Sequence, residues 1–242
     1  IEAMLQCRRT LRQQIVHHRY AAAPLECRSV IADYDNRTDS ITVWTTSQVV
    51  HWVRAQLAIS LNMSQAQIRV IAPDVGGGFG VKGHVYPEEI LVAYLARRLK
   101  RPVRWVETRQ EHLAGSTHSR DVVSEVEVGF DDDGKIHALS VACLIDSGAY
   151  SPVGVGVTYN TTAHLLGPYD IEHFEATTQV VCTNKAPNAP YRGAGRPEAV
   201  QIMERVIDMI AHSLGLEPVD VRLRNMIQPE QMPYDVGLPY RD

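Results

Sequence analysis

No two of the four cysteines (Cys7, Cys27, Cys143 and Cys182) stand at C-x-x-C spacing, so neither a zinc ribbon nor an iron–sulfur site is written in this sequence. Scattered thiols of this kind are expected to be free in a reducing compartment, which makes a cytoplasmic location the expectation. No apolar run reaches the length of a membrane span, and the opening residues IEAMLQCRRTLRQQ lack the apolar centre of a secretion signal. Charge of one sign never gathers into a block. With a net charge of −4 over 242 residues, nucleic acid is not expected as the main partner. The ten histidines form no metal constellation. His17 and His18 are adjacent, and His112 and His118 lack an acidic partner at ligand spacing, so each is read as structural or solvated. A G-x-S-x-G elbow, an activated cysteine, internal repeats, low-complexity tracts and a clear linker are also missing. The chain opens on Ile1 rather than Met and ends on MPYDVGLPYRD, and it is expected to be a piece of a longer protein.

What is present is an ordinary globular composition, 45% hydrophobic and 21% charged. Ser40–Thr46 alternates like a strand, and Val49–Leu61 places Val50, Val53, Leu57 and Leu61 on one helical face. Gln67–Ala72 reads as a strand, Pro87–Leu99 as a helix with proline in its first turn, and Pro102–Glu107 as a third strand. The segment from Ser40 to Glu107 therefore reads β-α-β-α-β. Val122–Phe130 and Lys135–Ile145 follow as two long strands joined by Asp131-Asp132-Asp133-Gly134, a hairpin turn. After a glycine-spaced stretch, Gly148–Gly167, come a strand at Glu175–Val181, a loop, a helix at Pro197–Leu214 and a second helix from Pro218 towards Asn225. The expectation is one mixed α+β domain over residues 1–242, with antiparallel strands and C-terminal helices after the β-α-β-α-β segment.

Two loops stand out. Ile68–Gly83 reads IRVIAPDVGGGFGVKG, a short strand running into Gly76, Gly77, Gly78 and Gly80 before the helix at Pro87. Bare backbone between a strand and a helix can present N–H groups to an anion or an oxo group. Gly78–Gly83 also fits G-x-G-x-x-G, with Glu107 at the end of the next strand where a ribose-binding acid would stand. Pro87 lies late for a dinucleotide fold, and Lys82-Gly83 breaks the Walker pattern. The second loop lies in Thr183–Ala199, TNKAPNAPYRGAGRPEA. There Tyr191 can wall a pocket, and Gly193 and Gly195 permit close approach. At Thr45-Thr46-Ser47-Gln48, Ser47 suits a helix N-cap and Gln48 a first-turn position.

HRYAAAPLE (18–26), TVWTTSQ (42–48), RVIAPDVGGGFGVK (69–82), YPEE with RPVRWVETRQEHL (86–113) and PYRGAGRPEA (190–199) occur in one order. Together they resemble the molybdenum-binding large subunit of the xanthine oxidase and aldehyde oxidase family, in particular the second form of the carbon monoxide dehydrogenase-like large subunits. The resemblance covers nearly the whole chain. It implies the first molybdopterin-binding domain, with the cofactor in its cytosine dinucleotide form. It also implies electrons leaving through [2Fe-2S] clusters and FAD on a small iron–sulfur and a medium flavin subunit, in a dimer of heterotrimers. An aldehyde or N-heteroaromatic compound would be hydroxylated with water as the oxygen source.

By motif, Gln48 would hydrogen-bond an oxygen ligand of the metal, Gly78, Phe79 and Gly80 would lay backbone beside it, and Arg192 would line the site. Asn160, Tyr191, Gly193 and Ala194 would face the substrate. No protein atom would ligate the metal directly. The general-base Glu of the family would lie beyond Asp242, so this segment alone is expected neither to retain the cofactor nor to turn over. Some positions depart from the family's patterns. Gly193 replaces the copper-holding Cys of the CO enzymes, which speaks against CO oxidation. Gly83 and Asn160 replace the Glu and Arg of purine hydroxylases, which speaks against purines. Val81 and Cys27 stand where Gly and Pro are common. The other readings are a Rossmann-type nucleotide-binding module and a scaffold without catalysis.

Overall fold

The computed structural model describes residues 2–150 and 154–235. Residues 151–153 of the glycine-spaced stretch, and 236–242 of the loop-like C-terminal segment, lie outside the described residues. In chain order the strands and helices begin with β1 (Arg9–His17), β2 (Tyr20–Ala21), β3 (Ser29–Asp35), β4 (Ser40–Thr45), α1 (Val50–Leu61), β5 (Ile68–Ile71), α2 (Pro87–Leu99) and β6 (Val103–Val106). They continue with α3 (Arg109–Gly115), β7 (His118–Ser119), β8 (Val122–Phe130), β9 (Ile136–Gly148), α4 (Gly154–Ala163), β10 (His173–Cys182), α5 (Arg196–Leu214) and α6 (Pro218–Asn225). The fold is mixed α+β. The chain gathers into two compact units, residues 21–119 with 189–192, and residues 1–20, 120–188 and 193–242.

The unit built around residues 21–119 carries a four-stranded sheet in the order β5-β4-β3-β6. Strands β4 and β5 are parallel, pairing Val43 with Val70, as the β-α-β reading requires. The third strand of that reading, β6, does not join them. It pairs antiparallel with β3, which lies between β4 and β6. The sequence reading had no strand at β3. Its alternation is present, with Val30 and Ala32 buried and Ile31 and Asp33 outward, but two aspartates in seven residues lower its strand propensity. One face of this sheet packs against α1 and α2 through Val30, Ala32, Ile41, Val43, Val53, Leu57, Val92 and Ala96. Helix α1 starts after Val49, not on Ser47, whose hydroxyl instead accepts the Val49 N–H at 3.1 Å and turns the chain before the helix. At α2, Pro87 does open the first turn, and the Glu89 carboxylate reaches back to the Tyr86 N–H at 2.9 Å.

The other unit has a sheet ordered β1-β8-β9-β10. The hairpin β8–β9 is antiparallel, and Gly134 supplies the positive φ of its turn, +87°. β10, however, runs parallel to β9, so this sheet is mixed rather than purely antiparallel. Helix α5 lays Ala199, Ile202, Met203, Val206, Ile207 and Ile210 into the core with Phe130, Ile136, Leu139 and Val141. The glycine-spaced stretch holds helix α4, which the reading left unassigned. Strand β1 is an edge with only Ile15 buried, so its alternation is faint in the sequence.

Asn225, fully buried at the end of α6, fastens this helix to the hairpin. Its Oδ1 accepts the Ile136 N–H, and its Nδ2 donates to Gly134 O and Val221 O, each at 2.8 Å. Asn225→Ala orphans the Ile136 N–H and Gly134 O and is expected to cost about 2–3 kcal/mol in urea unfolding. A loss within ~0.5 kcal/mol would show that the knot is dispensable.

Candidate functional site

The glycine loop leaves β5 and is folded by short-range bonds. Val81 N–H donates to Gly78 O at 3.0 Å and Gly83 N–H to Gly80 O at 2.9 Å. Gly77, Phe79 and Gly80 have φ of +94°, +53° and +103°. Phe79 is a phenylalanine held in the left-handed region and partly exposed to solvent. Gln48 lies against this loop. Its backbone N–H donates to Lys82 O at 2.9 Å, and its Oε1 accepts the Gly80 N–H at 2.9 Å. The Gly80 donor fixes which end of the amide is oxygen. The Nε2 of Gln48 is left with both protons and no acceptor among the described residues. Gly78 has no side chain because the Gln48 amide occupies that space: a Cβ there would sit 2.4 Å from Oε1.

The second loop meets the first backbone to backbone. Arg192 N–H donates to Phe79 O at 3.0 Å, and a Cβ on Gly80 would sit 2.1 Å from Pro190 O. Gln48, Gly78, Phe79, Gly80, Tyr191 and Arg192 are thereby brought together within one unit. Among the described residues no acceptor meets the N–H of Gly78 or Phe79. Two adjacent amides and one carboxamide NH2, all donors, are what an oxygen-rich or anionic group would find here.

Gly193 and Ala194 follow Arg192 in the chain and belong to the other unit, as does Asn160. Gly193, Ala194 and Gly195 have three consecutive positive φ values, +98°, +43° and +98°. The turn leads into the first turn of α5. Asn160, on α4, is beside it: a Cβ on Gly195 would meet Val157 O at 2.4 Å and Asn160 Cβ at 2.9 Å. Beneath the start of α5, Arg120 Nη1 pairs with the buried Glu198 at 2.8 Å.

Glu107 is not a ribose-binding acid. Its carboxylate is buried and fully engaged, accepting Arg28 Nε at 3.0 Å, Arg28 Nη2 at 2.6 Å, Arg28 N–H at 2.9 Å and His112 Nδ1 at 2.8 Å. The glycine loop also follows an edge strand and stops short of a helix that opens only at Pro87. The dinucleotide reading fails on both counts. His112 is structural and lies inside this cluster, its Nε2 facing Ala22 O at 2.8 Å. The Arg28 guanidinium lies over the Tyr86 ring at 3.6 Å, and Tyr86 OH donates to Val81 O at 2.6 Å, so the cluster reaches the glycine loop.

Burial would raise the Glu107 carboxyl, but the Arg28 hydrogen bonds, with His112, outweigh it and hold it below the usual 4.5. A depressed carboxylate stabilises the fold above its unfolded-state value, and that contribution is lost as pH falls through the folded value. Unfolding free energy is expected to drop on acidification below about pH 4.5, and Glu107→Gln to flatten that slope. An unchanged slope in the variant would remove Glu107 from the acid response.

The four cysteines are unpaired thiols. Among the described residues no group of three His, Cys, Asp or Glu could hold a metal ion, and no helix is long and apolar enough to cross a membrane.

The family profile described as "Molybdopterin cofactor-binding domain" matches residues 1–226. The chain belongs to the molybdopterin cofactor-binding domain family of the xanthine oxidase and aldehyde oxidase type. Its fold is similar to that of quinoline 2-oxidoreductase from Pseudomonas putida 86, with a TM-score of 0.92, 37% identity and coverage of 96% of this chain and 30% of that one. It is 33% identical over 237 residues to the gamma subunit of the 6-hydroxypseudooxynicotine dehydrogenase complex of Paenarthrobacter nicotinovorans, covering 98% of this chain and 30% of the relative. It is also 33% identical over 229 residues to the carbon monoxide dehydrogenase large chain of Hydrogenophaga pseudoflava, covering 93% and 28%. The chain spans about three tenths of the length of these relatives.

Glu26, Arg28, Tyr86 and the burial of Lys82 have no spacing that signals chemistry: Glu26 and Tyr86 bond the backbone of the glycine loop, Lys82 pairs with Glu26, and Arg28 reaches the loop only through Tyr86.

Proposed function

We propose that this chain is the first cofactor-facing segment of a molybdenum hydroxylase that hydroxylates an N-heteroaromatic compound or an aldehyde with water as the oxygen source. The observation that carries it is the Gln48 carboxamide, anchored through Oε1 to Gly80 with its NH2 directed to no protein acceptor among the described residues. When bound, a molybdopterin-held molybdenum supplies the two-electron oxidation. The chain's residues hold that group. Gly78 and Phe79 offer amide N–H donors and Gln48 an NH2 donor. Arg192 brings the second loop against Phe79. Tyr191, Gly193, Ala194 and Asn160 are assigned to the substrate side.

The similarity to a quinoline oxidoreductase and to a dehydrogenase complex subunit supports a heteroaromatic substrate and partner subunits. In this reading the cofactor is the cytosine dinucleotide form. The [2Fe-2S] and FAD centres lie on small and medium subunits of a cytoplasmic dimer of heterotrimers. The general base is a Glu outside this chain. Gly193, in the place of the Cys that holds copper in the CO enzymes, supports organic substrates over CO.

Gln48→Glu separates anchoring from donation. A carboxylate still accepts from Gly80 but has no NH2 to give. In the complete protein, Gln48→Glu is expected to keep molybdenum content, lower kcat about 100-fold and shift the molybdenum(V) EPR spectrum, as loss of one pre-oriented donor does. An unchanged spectrum and rate would remove Gln48 from the site.

A further inference from the structure

Lys82 is among the largest fully enclosed side chains of the described residues, 1% exposed, although it sits in a loop. An ammonium is withdrawn from water only where something compensates it. Its Nζ donates to Glu26 Oε2 at 2.7 Å. That same oxygen accepts the Gly76 N–H at 2.8 Å, and the Glu26 N–H donates to Gly76 O at 3.2 Å. Residue 76 must be glycine for this, because a Cβ there would lie 2.5 Å from Glu26 Cβ. One carboxylate oxygen thus holds both ends of the segment 76–82. At the far end Lys82 O also accepts the Gln48 N–H at 2.9 Å. The donors assigned to the cofactor, those of Gly78, Phe79 and Gln48, all hang from this tied segment.

We infer that Glu26 and Lys82 are a positioning pair that fixes the span of the glycine loop and so aims its donors. Fixing a glycine-rich stretch costs backbone entropy at every residue, and a tie across its ends restricts that freedom. An ion pair that merely stabilised the unit would not need to share its acceptor oxygen with the loop backbone. The inference rests on the proposed function for what is aimed, but not for the tie itself.

The test uses the complete holoprotein with Lys82→Met, which keeps the buried stem and removes the charge, and Glu26→Gln, which keeps an acceptor for Gly76. Amide hydrogen exchange across Gly76–Gly80 is expected to rise at least about tenfold in Lys82→Met, and in the same direction in Glu26→Gln, while β3 and β4 exchange as in the parent. The molybdenum(V) EPR spectrum shifts, and kcat falls about tenfold with KM nearly constant, as for misplaced but present groups. Unchanged loop exchange in a folded variant overturns the inference, and so does a rise spread evenly over β3 and β4. If Lys82→Met does not fold, unchanged loop exchange in Glu26→Gln overturns it alone. If loop exchange responds but the EPR spectrum and kcat do not, the tie stands and the proposed function fails.

Discussion

Gly80→Ala is expected to abolish cofactor retention in the complete protein. Two costs coincide at this residue. Its φ of +103° is outside what alanine readily adopts, a strain of about 1–3 kcal/mol. A Cβ would also stand 2.1 Å from Pro190 O, a backbone atom that cannot rotate aside. Relief requires the second loop to back away, and that breaks the bond from Arg192 N–H to Phe79 O. A combined cost of ~3 kcal/mol on the docked arrangement corresponds to roughly a hundredfold loss of occupancy. Molybdenum content of the purified variant checks this, and parent-like content would refute the loop-docking account. Gly78→Ala is milder, because its Cβ meets the movable Gln48 amide rather than backbone. It should keep molybdenum while disturbing the same EPR signal as Gln48→Glu.

Glu107→Ala has the second large expected effect, on stability. Removing this carboxylate leaves Arg28 buried with only Glu88, at 3.1 Å, and takes the acid from the His112 ring, whose other nitrogen faces a carbonyl. Breaking one side of a buried pair typically costs about 3–5 kcal/mol. Glu88→Ala removes the half-exposed partner and is expected to cost about 1 kcal/mol or less. Urea unfolding of both variants decides it. Equal losses would mean the cluster is not organised around Glu107.

The sequence showed helices and strands wherever burial imprints a period. α5 repeats its apolar positions every three or four residues, and β8–β9 is bracketed by a turn that only glycine completes. β1 and β3 were not legible, the first because an edge strand buries little, the second because Asp33 and Asp35 mask its alternation. Missing β3 mattered most. A strand inserted between β4 and β6 turns an apparent parallel β-α-β-α-β unit into a mixed sheet. The two glycine-containing loops were conspicuous as sequence, since bare backbone needs glycine. Their docking through Arg192 and Phe79 was not, because a backbone hydrogen bond leaves no residue signature. The same holds for Glu26, Lys82, Arg28 and Glu107. Long-range charge pairs have no spacing, and Glu107 was legible only as the wrong thing, a ribose ligand.

The most direct measurement is an anomalous difference map at the molybdenum edge from crystals of the complete holoprotein. The account predicts the metal peak opposite the Gln48 carboxamide and the Gly78–Phe79 amides. A peak elsewhere, with those donors turned to solvent, would contradict it.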